Sequence, residues 1–241
     1  MIEKIRAAGG EVYAITSEPQ SLADQAREHW ELEFESVGDP HQEIARTCNE
    51  RGWLTLYANR GRLEFLQRGA NWQVEHPRGH FQPGVLALTA AGRVLYRWRS
   101  VPSMENLQGT VARPTPGHVF SRIDQALAAG DATGDAAHDD RPEVDQSPPP
   151  IPVFVALLLA NGWFLRARSF AYGPDAPPLP RRFAVAGARL VGFVLAWVAA
   201  LAFLPTLPVL LAFGAWAFWA WRDVDRALWS AMDHSEIVAR D

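Results

Sequence analysis

The sequence predicts an α/β domain over residues 1–128 followed by an all-α membrane region beyond residue 150. Three observations carry this. Short β-prone runs alternate with capped helical stretches as far as Gly52. The apolar pattern then switches to period two near residues 84–100. Nearly all the long apolar runs lie within residues 151–241.

The chain has 241 residues, enough for one cored domain plus an accessory region. Its net charge of −4 gives no nucleic-acid footprint. Cys48 is the only cysteine, which excludes an internal disulfide framework and any CxxC pair. Lys4 is the only lysine, so the basic charge is almost all arginine. MIEKIRAAGGEV carries no apolar run of the secretory type, so no signal peptide is expected.

The elements follow in order. VYAIT, Val12 to Thr16, reads as a buried strand. In SEPQSLADQAREHW, Ser17 is the expected cap, Pro19 fits the first turn and Gln20 completes a capping box. Leu22, Ala23, Ala26 and Trp30 give that helix its apolar face. A short strand is expected at Phe34 to Val37. In GDPHQEIARTCNERG, Asp39 is the expected N-cap, Pro40 the first helical residue and Gly52 the stop. Residues 53–75 read as an insertion, either one irregular helix or a helix and a loop.

GVLALTAAGRVLYRWRS is a strand, a turn at Ala90 to Gly92 and a second strand. Val94, Tyr96 and Trp98 share one face, while Arg97 and Arg99 share the other. Thr115 and Pro116 start a helix with Val119, Phe120, Ile123 and Leu127 as its stripe. Residues 129–150 lack apolar periodicity and read as a mobile Asp/Ala/Pro-rich linker.

This order of elements resembles the thioredoxin-like fold, and more narrowly the AhpC/TSA peroxiredoxin-like proteins. The segments that carry the resemblance are AAGGEVYAITSEP, FESVGDPHQEIA, HFQPGVLALTAAGRVLYRWRS and PTPGHVFSRIDQAL. Together they span roughly residues 5–128. The resemblance implies a thiol-redox or antioxidant activity, with a thiol reductant or a partner protein and no cofactor. It identifies Pro83 as the counterpart of the cis-proline beside the reactive thiol, with Gln82 near the same site. An ordinary trans proline at a strand entry is the other reading. In such proteins the reactive cysteine opens a helix, where backbone N–H groups stabilise the thiolate. Here MIEKIRAAGG resembles the end of that helix. The implied fold is therefore incomplete, with the first strand, the active-site helix and its cysteine absent. The alternative function is a non-catalytic, membrane-tethered thioredoxin-like module that binds another protein or a second copy.

Cys48 lies mid-helix, where it shares a face with Ile44 and Ala45 and reads as a small hydrophobe. A redox sensor helped by Arg46 or Arg51 is the functional reading. Arg97 and Arg99 form either an anion-stabilising patch or a solvated strand face. His76 and His80 have a ligand-like spacing, but Pro77 and Gly79 break the helix that would align them, so no metal is expected. His138, Asp139 and Asp140 read as solvated linker residues. Dinucleotide, P-loop and G-x-S-x-G signatures are missing.

Phe183 to Pro205 is long enough to cross a hydrocarbon layer of about 30 Å. Its one charge, Arg189, is expected to snorkel towards the headgroups. Thr206 to Trp221 follows across the uncharged turn LPTLP, so residues 183–222 read as a transmembrane hairpin. Arg181 and Arg182 precede it, and Arg222 and Arg226 follow it. The positive-inside rule then puts both ends, and the α/β domain, on the cytoplasmic side of a bacterial-type inner membrane. Residues 151–168 read as an interfacial or re-entrant segment, with a third spanning helix as the alternative. Residues 223–241 read as an exposed cytoplasmic tail.

Overall fold

A computed structural model of the chain describes residues 2–61, 76–103, 106, 113–130, 133–144, 150–170, 177–229 and 233–238. Most of the expected insertion at 53–75 thus falls outside the described residues. The fold is mixed α/β, with seven α-helices and small sheets among the described residues. The chain forms two compact units. The first comprises residues 1–60, 75–148 and 234–241, and the second residues 61–74 and 149–233.

In the first unit, helix α1 (Ile2–Ala7) leads into strand β1 (Tyr13–Thr16). Helix α2 (Gln20–His29) then crosses over to β2 (Glu35–Gly38), which pairs parallel with β1. The strand expected to be buried is not: Tyr13 is 61% and Ile15 46% exposed. Trp30, expected on the apolar face of α2, is also exposed, leaving Ala23 as the buried residue of that helix.

Helix α3 (Glu43–Glu50) starts three residues later than expected because Gln42 holds a left-handed backbone (φ 64°) and interrupts the helical run. Asp39 reaches across that break. Its carboxylate accepts from Glu43 N at 2.6 Å and Ala45 N at 3.0 Å, so it caps the helix from four residues upstream. Gly52, at φ 67°, ends the helical run as expected.

Strand β3 (Tyr57–Asn59) lies between β4 (His80–Phe81) and β7 (His234–Glu236) in an antiparallel sheet. The tail is therefore not simply exposed: β7 joins the first unit, and Ile237 beyond it is 2% exposed. Strands β5 (Gly84–Leu88) and β6 (Val94–Arg99) form the expected hairpin. Val94, Tyr96 and Trp98 are buried, and so is Leu95 on the opposite face. Helix α4 (Pro116–Ala128) begins as expected, with Thr115 Oγ1 accepting from His118 N. Its stripe is less covered than expected, Leu127 being exposed. Among the described residues the strands form three separate ladders, not one continuous sheet.

Residues 133–144, expected to be part of a linker, run as a strap along β6. Ala136 N donates to Val94 O and Asp139 N to Arg97 O, while Asp135 accepts from Val94 N. Thr115 N donates to Glu143 O at the far end. The backbone of β6 thus gains a second partner that no side-chain pattern announces.

In the second unit, helix α5 (Ile151–Asn161) is apolar and short. Helix α6 (Leu179–Phe203) starts behind Pro178 and ends where Pro205 forces Leu204 into extended backbone. Helix α7 (Thr206–Val224) continues into one π-turn, Asp225–Trp229. Leu158, Leu159, Ala167, Ala220, Val224 and Leu228 make the core. Aromatic rings join the helices: Phe164 stacks on Phe193 at 3.8 Å, and Trp197 meets Phe213 edge-on at 5.1 Å. Arg189 turns towards the end of α5. Its guanidinium faces the last carbonyls of α5, Ala160 O and Asn161 O, and lies 3.9 Å from the Trp163 ring centre.

Candidate functional site

Parallel β1 and β2 end together at Thr16 and Gly38, and in open α/β sheets that carboxyl end is where ligands bind. The backbone there is close-packed. A Cβ on Gly38 would sit 2.6 Å from both Gln20 N and Glu18 O, so only glycine fits. Gln20 locks the corner, accepting from Gly38 N and donating to Ser36 O.

The segment 76–82 closes over this end. Ser17 does not cap α2 as expected. Its Oγ accepts from Phe81 N at 3.2 Å and meets His76 Nδ1 at 2.8 Å. The other ring nitrogen of His76 is Nε2. That nitrogen lies 3.6 Å from Glu18 Oε1. Burial raises the Glu18 carboxyl and lowers the His76 imidazole, so both groups resist the charged form. Gln42 donates to Arg78 O, and Arg78 donates to His41 O, which clamps the segment to the β2–α3 loop.

His80 extends the cluster. Its ring lies 5.6 Å from that of His76. In the β4–β3–β7 sheet, Asn59 pairs with His80 on one side and His234 on the other, so the three share one face. Burial, then the neighbouring His76 and His234, pushes His80 down to about 4. Among the described residues its buried Nδ1 has no hydrogen-bond partner, and neither has Oε1 of Gln82, which is 3% exposed. His76 and His80 are thus neutral imidazoles able to take up protons on acidification. Among the described residues, no three His, Cys, Asp or Glu side chains converge on a metal position. Ser17 itself is 3% exposed, so its hydroxyl ties segment 76–82 to the strand end from a buried position.

Comparison of the chain with protein-family models, curated proteins and solved structures finds no significant match.

The residues singled out by sequence fall elsewhere. Cys48 sits near the end of α3 and is half-buried. Burial raises its thiol, the charge of Asp39 adds to this, and Arg51 opposes both. Arg46 turns towards Gln42, and the Arg51 guanidinium lies over the Trp53 ring. Pro83 lies between β4 and β5 in a trans peptide, contrary to the cis expectation. Its carbonyl accepts from Ser100 N, which fixes it as an ordinary entry to the hairpin.

Arg97 and Arg99 are neither a solvated face nor a free anion patch. Arg97 donates to Gly52 O at 2.7 Å. Arg99 donates to Thr55 O and pairs with Glu236 at 3.1 Å. Both stitch the loop after α3 to β6.

Sequence reasoning missed a second cluster. Asp139 Oδ2 meets His118 Nε2 at 2.7 Å and accepts from Tyr96 Oη at 3.0 Å. Burial works to raise this carboxyl, but the bonds from His118 and Tyr96 outweigh it and hold Asp139 below the usual carboxylate range. Burial and the bond to Asp139 raise the Tyr96 phenol. A cleft of about 350 Å³ lies alongside, lined by Arg93, Tyr96, Arg122, Thr133 and His138 among others. The only sequence signal was the HDD run in an otherwise featureless stretch.

Proposed function

We propose that this protein is a non-catalytic interaction module, anchored in a bacterial-type cytoplasmic membrane with its α/β unit on the cytoplasmic side. The observation that carries the anchoring is α6. It is long and apolar enough to cross a membrane, and only 6% of its apolar window is buried. Val191, Leu195, Val198 and Phe203 are each more than half exposed. Leaving four such side chains in water costs on the order of 8 kcal/mol, which a bilayer removes.

The path of the chain supports a hairpin. It leaves the first unit at residue 148 and re-enters it at 234. A chain that departs from and returns to one folded unit crosses a bilayer an even number of times. With α6 as one pass, α7 supplies the other. The 11 residues of α5 rise only about 16 Å, short of a span. No charge lies between Leu190 and Trp221, and arginines flank both ends, which favours the cytoplasmic assignment.

The interaction reading is supported by β1. Among the described residues it pairs on one side only, with β2, and it carries exposed Tyr13 and Ile15. An open apolar edge is a template for a partner's strand, including a second copy of this chain. The thiol-redox reading of the AhpC/TSA type keeps the element order as its support. Against it, burial and the charge of Asp39 raise the Cys48 thiol, and the opposing charge of Arg51 does not offset them. The test is peroxide consumption by the full chain in micelles with a dithiol reductant. No turnover above a Cys48→Ser control is expected. Turnover that Cys48→Ser abolishes would restore the redox reading.

A further inference from the structure

The end of the second unit at which α6 begins gathers arginine from separate segments. Arg166 and Arg168 follow α5, and Arg181 and Arg182 open α6. The first three are exposed. Arg182 donates to Phe170 O at 2.9 Å, and Phe183 packs on the Phe170 ring at 4.6 Å. The first turn of α6 is thereby docked two residues from Arg168. Asn161 fixes that stretch by donating to Arg168 O and Ser169 O. Between residues 150 and 200 the sequence offers one acid, Asp175, against these four arginines and Arg189. Arg222 and Arg226 at the end of α7 alternate with Asp223 and Asp225 and add little net charge.

The turn after α5 adds an independent observation. Trp163 and Phe164 both hold left-handed backbone, at φ 58° and 59°. For non-glycine residues this costs about 1–2 kcal/mol each. The turn sends Phe164 inward onto Phe193. It leaves Trp163 and Leu165 outward, 64% and 69% exposed. Exposed tryptophan and leucine beside clustered arginine is the composition of a headgroup-level contact.

We propose that Arg166, Arg168, Arg181 and Arg182 bind the phosphodiester headgroups of anionic phospholipids, with Trp163 and Leu165 seated among the upper acyl chains. Guanidinium matches phosphate in charge and in bidentate geometry. Juxtamembrane clusters of this size attract anionic leaflets. The proposal rests on the membrane reading above and adds the lipid class.

The test uses the full chain in neutral detergent micelles. Retained lipid is read by native mass spectrometry after titration with phosphatidylglycerol or phosphatidylcholine, with inorganic phosphate as competitor. Phosphatidylglycerol should be retained about ten-fold over phosphatidylcholine, and 0.5 M salt should erase the preference. Replacing the four together (Arg166→Gln, Arg168→Gln, Arg181→Gln, Arg182→Gln) should lower phosphatidylglycerol retention about five-fold or more, while four lysines should keep most of it. Equal retention of the two lipids, a salt-insensitive preference, displacement by millimolar phosphate, or unchanged retention in the glutamine variant would each overturn the proposal. Should the glutamine variant not fold, the salt titration of the unaltered chain decides. A chain that stays monodisperse without detergent refutes the anchoring itself, a separate and distinguishable result.

Discussion

At neutral pH the thiol of Cys48 stays protonated, because burial and the charge of Asp39 both favour its neutral form. Alkylation of the native chain near pH 7.5 should therefore be slow, and denaturant should speed it at least ten-fold; equal rates in both states would contradict the packing of α3. His80 makes a second prediction. The unfolded chain takes up its proton near 6.5, the folded chain only near 4. Stability present above pH 6.5 is then lost as pH falls towards 4, by up to about 3 kcal/mol, and His76 shifts in the same direction. Thermal melts across this window should show a flatter acid limb for His80→Asn; an unchanged slope would remove His80 from the account. The core-side placement of Cys48 was legible from its spacing with Ile44 and Ala45. The role of Ser17 was not, because the capping pattern is local, whereas Phe81 and His76 lie more than fifty residues away.

Among the elements, α3 depends on one carboxylate. Asp39 is 4% exposed and satisfies two of the backbone N–H groups at its start. Asp39→Ala should cost about 1–2 kcal/mol, read as a lower melting temperature with the helix content otherwise kept. The strap along β6 hangs on Asp139. Asp139→Ala removes the bonds from His118 and Tyr96, and the amides of Ala136 and Asp139 should then exchange about ten-fold faster or more. Exchange no faster than in the parent chain would show that the strap is held by its backbone bonds alone. Helices with a proline start and the period-two hairpin were legible because propensity and pattern are local signals. The strap and β7 were not. Both are held mainly by backbone bonds to a partner strand, and their side chains carry no apolar period.

At the scale of the whole molecule, the two-part organisation was legible from the uneven distribution of apolar runs. The return of the chain to its first unit at β7 was not, since three residues of HSE hold no strand signal. That return makes the membrane account specific: both ends of the helical region belong to one side, and the Pro205–Thr206 turn to the other. Single-cysteine labelling tests this most directly. In a Cys48→Ser background, Glu3→Cys and Thr206→Cys would each be probed with a membrane-impermeant maleimide in sealed vesicles of known orientation. Both positions are exposed. The account predicts that the two cysteines react from opposite faces, Glu3→Cys from the cytoplasmic one. Labelling of both from the same face, or release of the chain from the vesicles by alkaline carbonate, would contradict it.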